Sequence, residues 1–186
     1  MKNLEKYLSV LDDQVDGLLL TSRYSRHYGA EFDIAEGMAV VSKKGCRYFT
    51  DSRYIEAAER QVSDAAIGMT ESGKGYIAWL NEALELSGAK RIGFEDETMT
   101  VAEHRLYSEK LQAELVPASA FLRELRAQKD PEEVERMEQA QRIAEKALEQ
   151  IIELGCNRIL TSGQQATAEL GIPLLKTLQT QASGRI

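Results

Sequence analysis

Gly37-Met38-Ala39-Val40-Val41-Ser42-Lys43-Lys44-Gly45-Cys46-Arg47-Tyr48-Phe49-Thr50 reads as two short apolar runs around a polar turn. Gly37 to Val41 and Cys46 to Thr50 carry strand-type side chains. Ser42 to Gly45 reads as the hairpin turn between them, with Gly45 supplying the positive φ that such turns favour. An antiparallel pair is therefore expected here, and it sets the character of the whole sheet. Before it, Leu4, Tyr7, Leu8 and Leu11 recur at helical spacing. Asp16-Gly17 signals a turn, and Leu18-Leu19-Leu20-Thr21 reads as a short buried strand. Ser22 to Tyr28 reads as loop and short helix. After it, Ile55 to Val62 reads as a helix, and Ala65 to Met69 could be another strand. Tyr76 to Leu86 is a helix that Ser87-Gly88 ends. Arg91-Ile92-Gly93-Phe94 is a strand. Thr100 to Leu111 is a helix, with Thr100 as N-cap and Glu103 closing a capping box. Glu114 to Pro117 is a last strand. Five strands are expected up to Pro117. The predicted fold class is α/β: a mixed central sheet flanked by helices, with the hairpin keeping it from being purely parallel.

A second long element starts at Asp130. Asp130 is a natural N-cap, Pro131 suits the first helical position, and Glu132 and Glu133 complement the positive end of the helix dipole. Val134, Met137, Ala140, Ala144, Leu148 and Ile151 then follow helical spacing. A long C-terminal helix of about twenty residues, ending near Gly155, is expected. A domain boundary is placed between Phe121 and Asp130.

The chain has 186 residues, 43% of them hydrophobic and 28% charged, which suits one folded globular domain, or one domain plus part of another. The formal net charge is −7. With no Lys/Arg block, no binding to nucleic acid or to an anionic membrane through bulk electrostatics is expected. The charge is uneven. Cys156 to Ile186 holds three basic residues and one acidic, so residues 1–155 carry the acidic excess. Cys46 and Cys156 form no CxxC pair and are read as reduced structural thiols. No leader-like apolar run and no membrane-length segment is apparent, so a cytoplasmic location is expected.

The residues offer little direct chemistry. His104 reads as a surface side chain mid-helix. His27 lies in the Tyr/Arg-rich stretch Arg23-Tyr24-Ser25-Arg26-His27-Tyr28, which could face a ligand, although packing is the plainer reading. Glu95-Asp96-Glu97 is a tight acidic cluster at a strand end, but it lacks a third element to make a metal site. There is no GxGxxG and no P-loop. Taken alone, the residues describe an α/β domain with a helical extension.

Four segments in order resemble one family. Thr50-Asp51-Ser52-Arg53-Tyr54 with Glu56-Ala57-Ala58 resembles the T-D-x-R-Y-x-x-x-A segment of the proline-specific metallopeptidases, which include aminopeptidase P, prolidase and creatinase. Ile92-Gly93-Phe94-Glu95 resembles their I-G-F-E strand. Leu122 to Arg126 and Lys129-Asp130-Pro131-Glu132-Glu133-Val134 resemble their lead into the second domain. In the loop Ser22 to Phe32, Tyr28 and Phe32 match, but Gly29-Ala30-Glu31 departs from the usual spacing and Ser25 replaces the usual Asn or Asp. The resemblance covers roughly residues 1–155. It implies a creatinase-type N-terminal domain over 1–125, and a linker with the first helix of a truncated pita-bread domain over 126–155. Residues 156–186 are expected to be a divergent tail.

The resemblance further implies an Xaa-Pro peptidase family whose second domain holds two divalent metals (Mn, Co or Zn) to activate a water. None of the five metal ligands can be assigned to this chain, so no catalytic residue and no cofactor is expected in it, and it is expected to be inactive alone. Its function is expected to be that of the N-terminal non-catalytic part, serving oligomerisation and substrate-access control. Ser25, Arg26, His27 and Arg53 are expected nearest a substrate by the same resemblance. The partners implied are a homo-oligomer and, in the full-length context, proline-containing peptides. The alternative is a stand-alone binding or assembly module that self-associates or pairs with a full-length paralogue. In the tail, Thr161 to Leu170 only faintly resembles the family pattern, and Gly171-Ile172-Pro173 interrupts the expected helix. A frame change or truncation in an ordinary full-length gene would explain that break.

Overall fold

The computed structural model describes residues 3–30, 36–156, 158, 160–161 and 163–182. It divides into two compact units, residues 1–128 and 129–186.

The first unit is a mixed six-stranded sheet between two helix layers. Its strands are β1 (Gly17–Leu20), β2 (Met38–Ser42), β3 (Gly45–Thr50), β4 (Ala65–Met69), β5 (Arg91–Phe94) and β6 (Glu114–Pro117). They lie in the order β4-β3-β2-β1-β5-β6. The expected hairpin forms, with Ser42 opposite Gly45 and Val40 opposite Arg47. Gly45 takes φ +117, a conformation open to glycine and costly for other residues. β2 also runs antiparallel to β1, while β1–β5, β5–β6 and β3–β4 are parallel. All strands except β2 therefore end at one edge of the sheet. The strands number six, not five. Ala65–Met69 is a true strand because it pairs in parallel with β3 along its full length.

Both faces are covered, so the apolar runs divide by alternation. Leu18 and Leu20, Ala39 and Val41, and Cys46 and Tyr48 point to one core. That core is closed by α1 (Leu4–Ser9), α3 (Ile55–Gln61) and α6 (Ser119–Ala127). Tyr7, Ala58 and Leu122 are the buried contributions of these helices. Leu19, Val40, Phe49 and Ile92 point to the other core, closed by α4 (Tyr76–Ser87) and α5 (Val101–Lys110). Thr100 caps α5 in a reciprocal capping box with Glu103. Gly88 ends α4 in the left-handed conformation at φ +73. Residues 23–30 form a full helix, α2 (Arg23–Ala30), where loop and short helix were expected. Phe32 and Glu31 lie outside the described residues.

Cys46 is buried in the first core, and burial pushes its thiol up to about 12. Cys156 is exposed. A thiol reagent is therefore expected to label Cys156 alone in the native protein and both cysteines after unfolding, as counted by mass spectrometry. Rapid native labelling of Cys46 would show that this core opens easily.

The second unit holds α7 (Pro131–Glu153) and α8 (Ile172–Gln181). α7 starts as its sequence dictates. The Asp130 carboxylate accepts the Glu133 N–H at 2.9 Å, and Glu133 accepts the Asp130 N–H at 2.9 Å. Surface pairs Glu132–Arg136 and Glu138–Arg142 support it at i,i+4 spacing. Pro173 does not break a helix: it occupies the first turn of α8, where its missing N–H costs no hydrogen bond.

Candidate functional site

The carboxyl edge of the sheet gathers most of the buried polar groups of the first unit. Its centre is Glu95, the residue after β5, which is 4% exposed. One carboxylate oxygen accepts the Thr21 and Ser22 N–H groups at 2.8 and 2.7 Å. The other accepts the Ser22 and Ser25 hydroxyls at 2.5 and 2.6 Å. Ser22 in turn caps α2, its hydroxyl oxygen accepting the Ser25 N–H at 3.1 Å. The carboxylate therefore closes the N-terminus of α2, where a negative charge is favoured. Arg126 of α6 donates to the Ser25 hydroxyl at 3.0 Å, and Tyr7 of α1 donates to the Ser25 carbonyl at 2.9 Å. Burial raises the Tyr7 hydroxyl far above its ordinary pKa, so it stays a donor. Three helices and two strand ends meet at Ser25 and Glu95.

Beside this cluster, Arg26 is 4% exposed and donates to the Tyr48 hydroxyl of β3 at 3.4 Å. Gly37 follows from the same crowding. It sits at φ +144, and a Cβ there would lie 2.5 Å from the Tyr48 hydroxyl. Tyr76 is near Asp51, Glu36, Tyr48 and Arg26, and burial pushes its hydroxyl up to about 12. Asp51, just past β3, grips Arg53 with bonds of 2.6 and 3.1 Å from one guanidinium. That hydrogen bonding holds the Asp51 carboxyl below its usual range. Arg53 also covers the Tyr54 ring at 5.1 Å.

The four residues singled out from sequence thus take different positions. Ser25 is fully buried and Arg26 nearly so, while His27 and Arg53 are exposed. Ser25 has the wrong surroundings for a nucleophile. Its hydroxyl is shut from solvent and committed to a carboxylate and a guanidinium. His27 and Arg53 reach solvent, Arg53 held there by Asp51. The acidic triplet is split among three tasks. Glu95 turns inward, Asp96 accepts the Ala118 and Ser119 N–H groups, and Glu97 pairs with Arg123. The bonds from Ser119 and Ala118 hold the Asp96 carboxyl below its usual range. Among the described residues no group of three or more His, Cys, Asp or Glu could hold a metal ion. The described residues thus offer no donor set for a dinuclear metal centre.

Glu95 is the residue whose importance the sequence reading missed. The signal was available: a carboxylate directly after an apolar strand, with Ser22 and Ser25 three apart after another.

The sequence profile of the creatinase/prolidase N-terminal domain matches residues 2–128. The Bacillus subtilis protein named uncharacterized peptidase YqhT is 36% identical over 139 residues, which are 74% of this chain and 39% of that protein. The solved Xaa-Pro dipeptidase from Bacillus anthracis superposes with a TM-score of 0.75 at 28% identity, covering 97% of this chain and 49% of that one. Residues 137–186 match a different profile, that of the CutC family. A CutC family protein of Bacteroides thetaiotaomicron is 98% identical over 42 residues, 23% of this chain and 17% of that protein. The chain spans less than half the length of each of these relatives. The CutC match overturns the frame change as the origin of the tail. A shifted frame yields sequence unrelated to any family, whereas the tail matches CutC in the frame in which it is read. With six strands in mixed order, two covered faces and a profile match over two thirds of its length, the chain belongs to the creatinase/prolidase N-terminal domain family.

Proposed function

We propose that this chain supplies the N-terminal, non-catalytic part of a proline-specific metallopeptidase of the Xaa-Pro aminopeptidase or dipeptidase type, serving oligomerisation and controlling access of substrate. The observation that carries the reading is the likeness to the Bacillus anthracis Xaa-Pro dipeptidase over 97% of this chain and half of that enzyme. Two divalent metals, Mn, Co or Zn, belong to the catalytic domain of such an enzyme, where they would generate the attacking hydroxide. The donors described in this chain do not fit them, and no step of hydrolysis is assigned to its residues.

The exposed polar side chains of the carboxyl edge are what this domain can offer a peptide. Arg53, oriented by Asp51, and His27 stand where they can meet the carboxylate or carbonyl of a proline-containing substrate. Ser25 and Arg26 act behind them by holding α2 in place. Nucleic acid and membrane are poor partners for a chain of net charge −7. Among the described residues no helix is long and apolar enough to cross a membrane. The setting proposed is the cytoplasm, and the assembly proposed is a homo-oligomer.

The purified 186-residue polypeptide, supplied with Mn²⁺ or Co²⁺ and an Xaa-Pro dipeptide, is expected to release no proline above the metal-only blank. Turnover that a chelator abolishes would contradict this assignment.

A further inference from the structure

The second unit holds an apolar groove of about 680 Å³, lined by Leu148 in the last turns of α7, Leu160, and Leu175 and Leu178 of α8. The charged residues in its lining, Arg158 and Lys176, are both cations. The groove lies within the CutC-like segment. In the Bacteroides relative the matching 42 residues are 17% of the chain, so side chains of this kind are accompanied there by a much longer polypeptide. Such a lining is suited to packing against protein.

The same unit carries a ridge of matching chemistry. Val134 and Met137 of α7 are 43% and 57% exposed, and Ala140 and Ala144 continue the stripe on that exposed face. Glu138, Glu145 and Glu149 recur along one flank of the stripe at helical spacing. From Val134 to Ala144 the stripe runs roughly 15 Å, about the length of the ten-residue α8 beside the groove. Ridge and groove thus agree in length and in apolar character, and the acidic flank of one complements the cations of the other.

We propose that a second copy of this chain covers the groove, seating the Val134–Ala144 stripe of its own α7 against Leu160, Leu175 and Leu178. The arrangement is reciprocal, so each copy gives one ridge and receives one, as a two-fold interface requires. Glu145 and Glu149 of each copy then approach Arg158 and Lys176 of the other, Glu138 being paired with Arg142 of its own helix. The proposal concerns the second unit alone and stands whether or not the first unit belongs to a peptidase.

Sedimentation of the full 186-residue chain across the micromolar range tests it. A monomer–dimer equilibrium is expected. Met137→Glu, at an exposed position that leaves folding intact, should weaken it by about tenfold or more, as should Leu175→Glu in the groove. Far-ultraviolet circular dichroism verifies that both variants keep their helices. On a Cys156→Ser background, a mixture of Met137→Cys and Leu175→Cys chains should form a disulfide heterodimer in preference to either homodimer. A monomer at every concentration would overturn the proposal. So would a dimer indifferent to both glutamates, or one lost with Leu175→Glu and kept with Met137→Glu.

Discussion

Replacing Glu95 by alanine is expected to lower the unfolding free energy of the first unit by about 3–5 kcal/mol, because several buried donors lose their acceptor together. The Thr21 and Ser22 N–H groups and the Ser22 and Ser25 hydroxyls all point at this carboxylate. Cutting the side chain back inside a site 4% exposed leaves those donors without their protein acceptor. The loss also removes the negative charge at the N-terminus of α2, worth up to about 1 kcal/mol more. For a unit of this size the thermal midpoint should fall by roughly 10–20 °C. Glu95→Gln keeps the shape but turns an amide NH₂ toward donors, so it should fall between wild type and alanine. Chemical denaturation followed by circular dichroism measures this, and a change below about 1 kcal/mol for Glu95→Ala would show that the cluster is not a structural centre.

The second large effect is expected two residues earlier. Gly93 of β5 has no room for a side chain. A Cβ there would lie 2.9 Å from Leu18 Cδ2 and 3.0 Å from both Ala118 Cβ and Val15 Cγ1. Ala118 Cβ is fixed to the backbone leading into α6, so the collision cannot be relieved by rotating a side chain. Gly93→Val should therefore destabilise by about 3 kcal/mol, at the upper end of overpacking costs. Gly93→Ala should cost about half as much in the same denaturation experiment. A neutral valine would mean that α6 docks on the sheet more loosely than these distances imply. Since α6 carries Arg126 to Ser25, the two substitutions bear on connected structure and should not be additive when combined.

Most of the fold was legible because its signals are local. Gly45 announces the hairpin, Thr100 and Glu103 announce α5, and Asp130 and Pro131 announce α7. β4 was harder to read. Ala65-Ala66-Ile67-Gly68-Met69 has a weak strand pattern, and its pairing with β3 is a long-range fact. α2 was read as loop and short helix because its cap, Ser22, depends on a carboxylate 73 residues away. The candidate site suffered from the same limit. Exposure separates His27 and Arg53 from Ser25 and Arg26, and no spacing along the chain encodes that separation. The tail could be recognised as different by its charge, but composition alone does not tell a shifted frame from a second family.

The role proposed for the first unit is that of the N-terminal, non-catalytic domain of an Xaa-Pro peptidase. Joining residues 1–128 to the catalytic part of the Bacillus anthracis Xaa-Pro dipeptidase, in place of that enzyme's own N-terminal portion, tests it most directly. The hybrid is expected to hydrolyse an Xaa-Pro dipeptide in a metal-dependent way, while the 186-residue chain does not. A folded hybrid without activity, or chelator-sensitive hydrolysis by the 186-residue chain itself, would contradict the account.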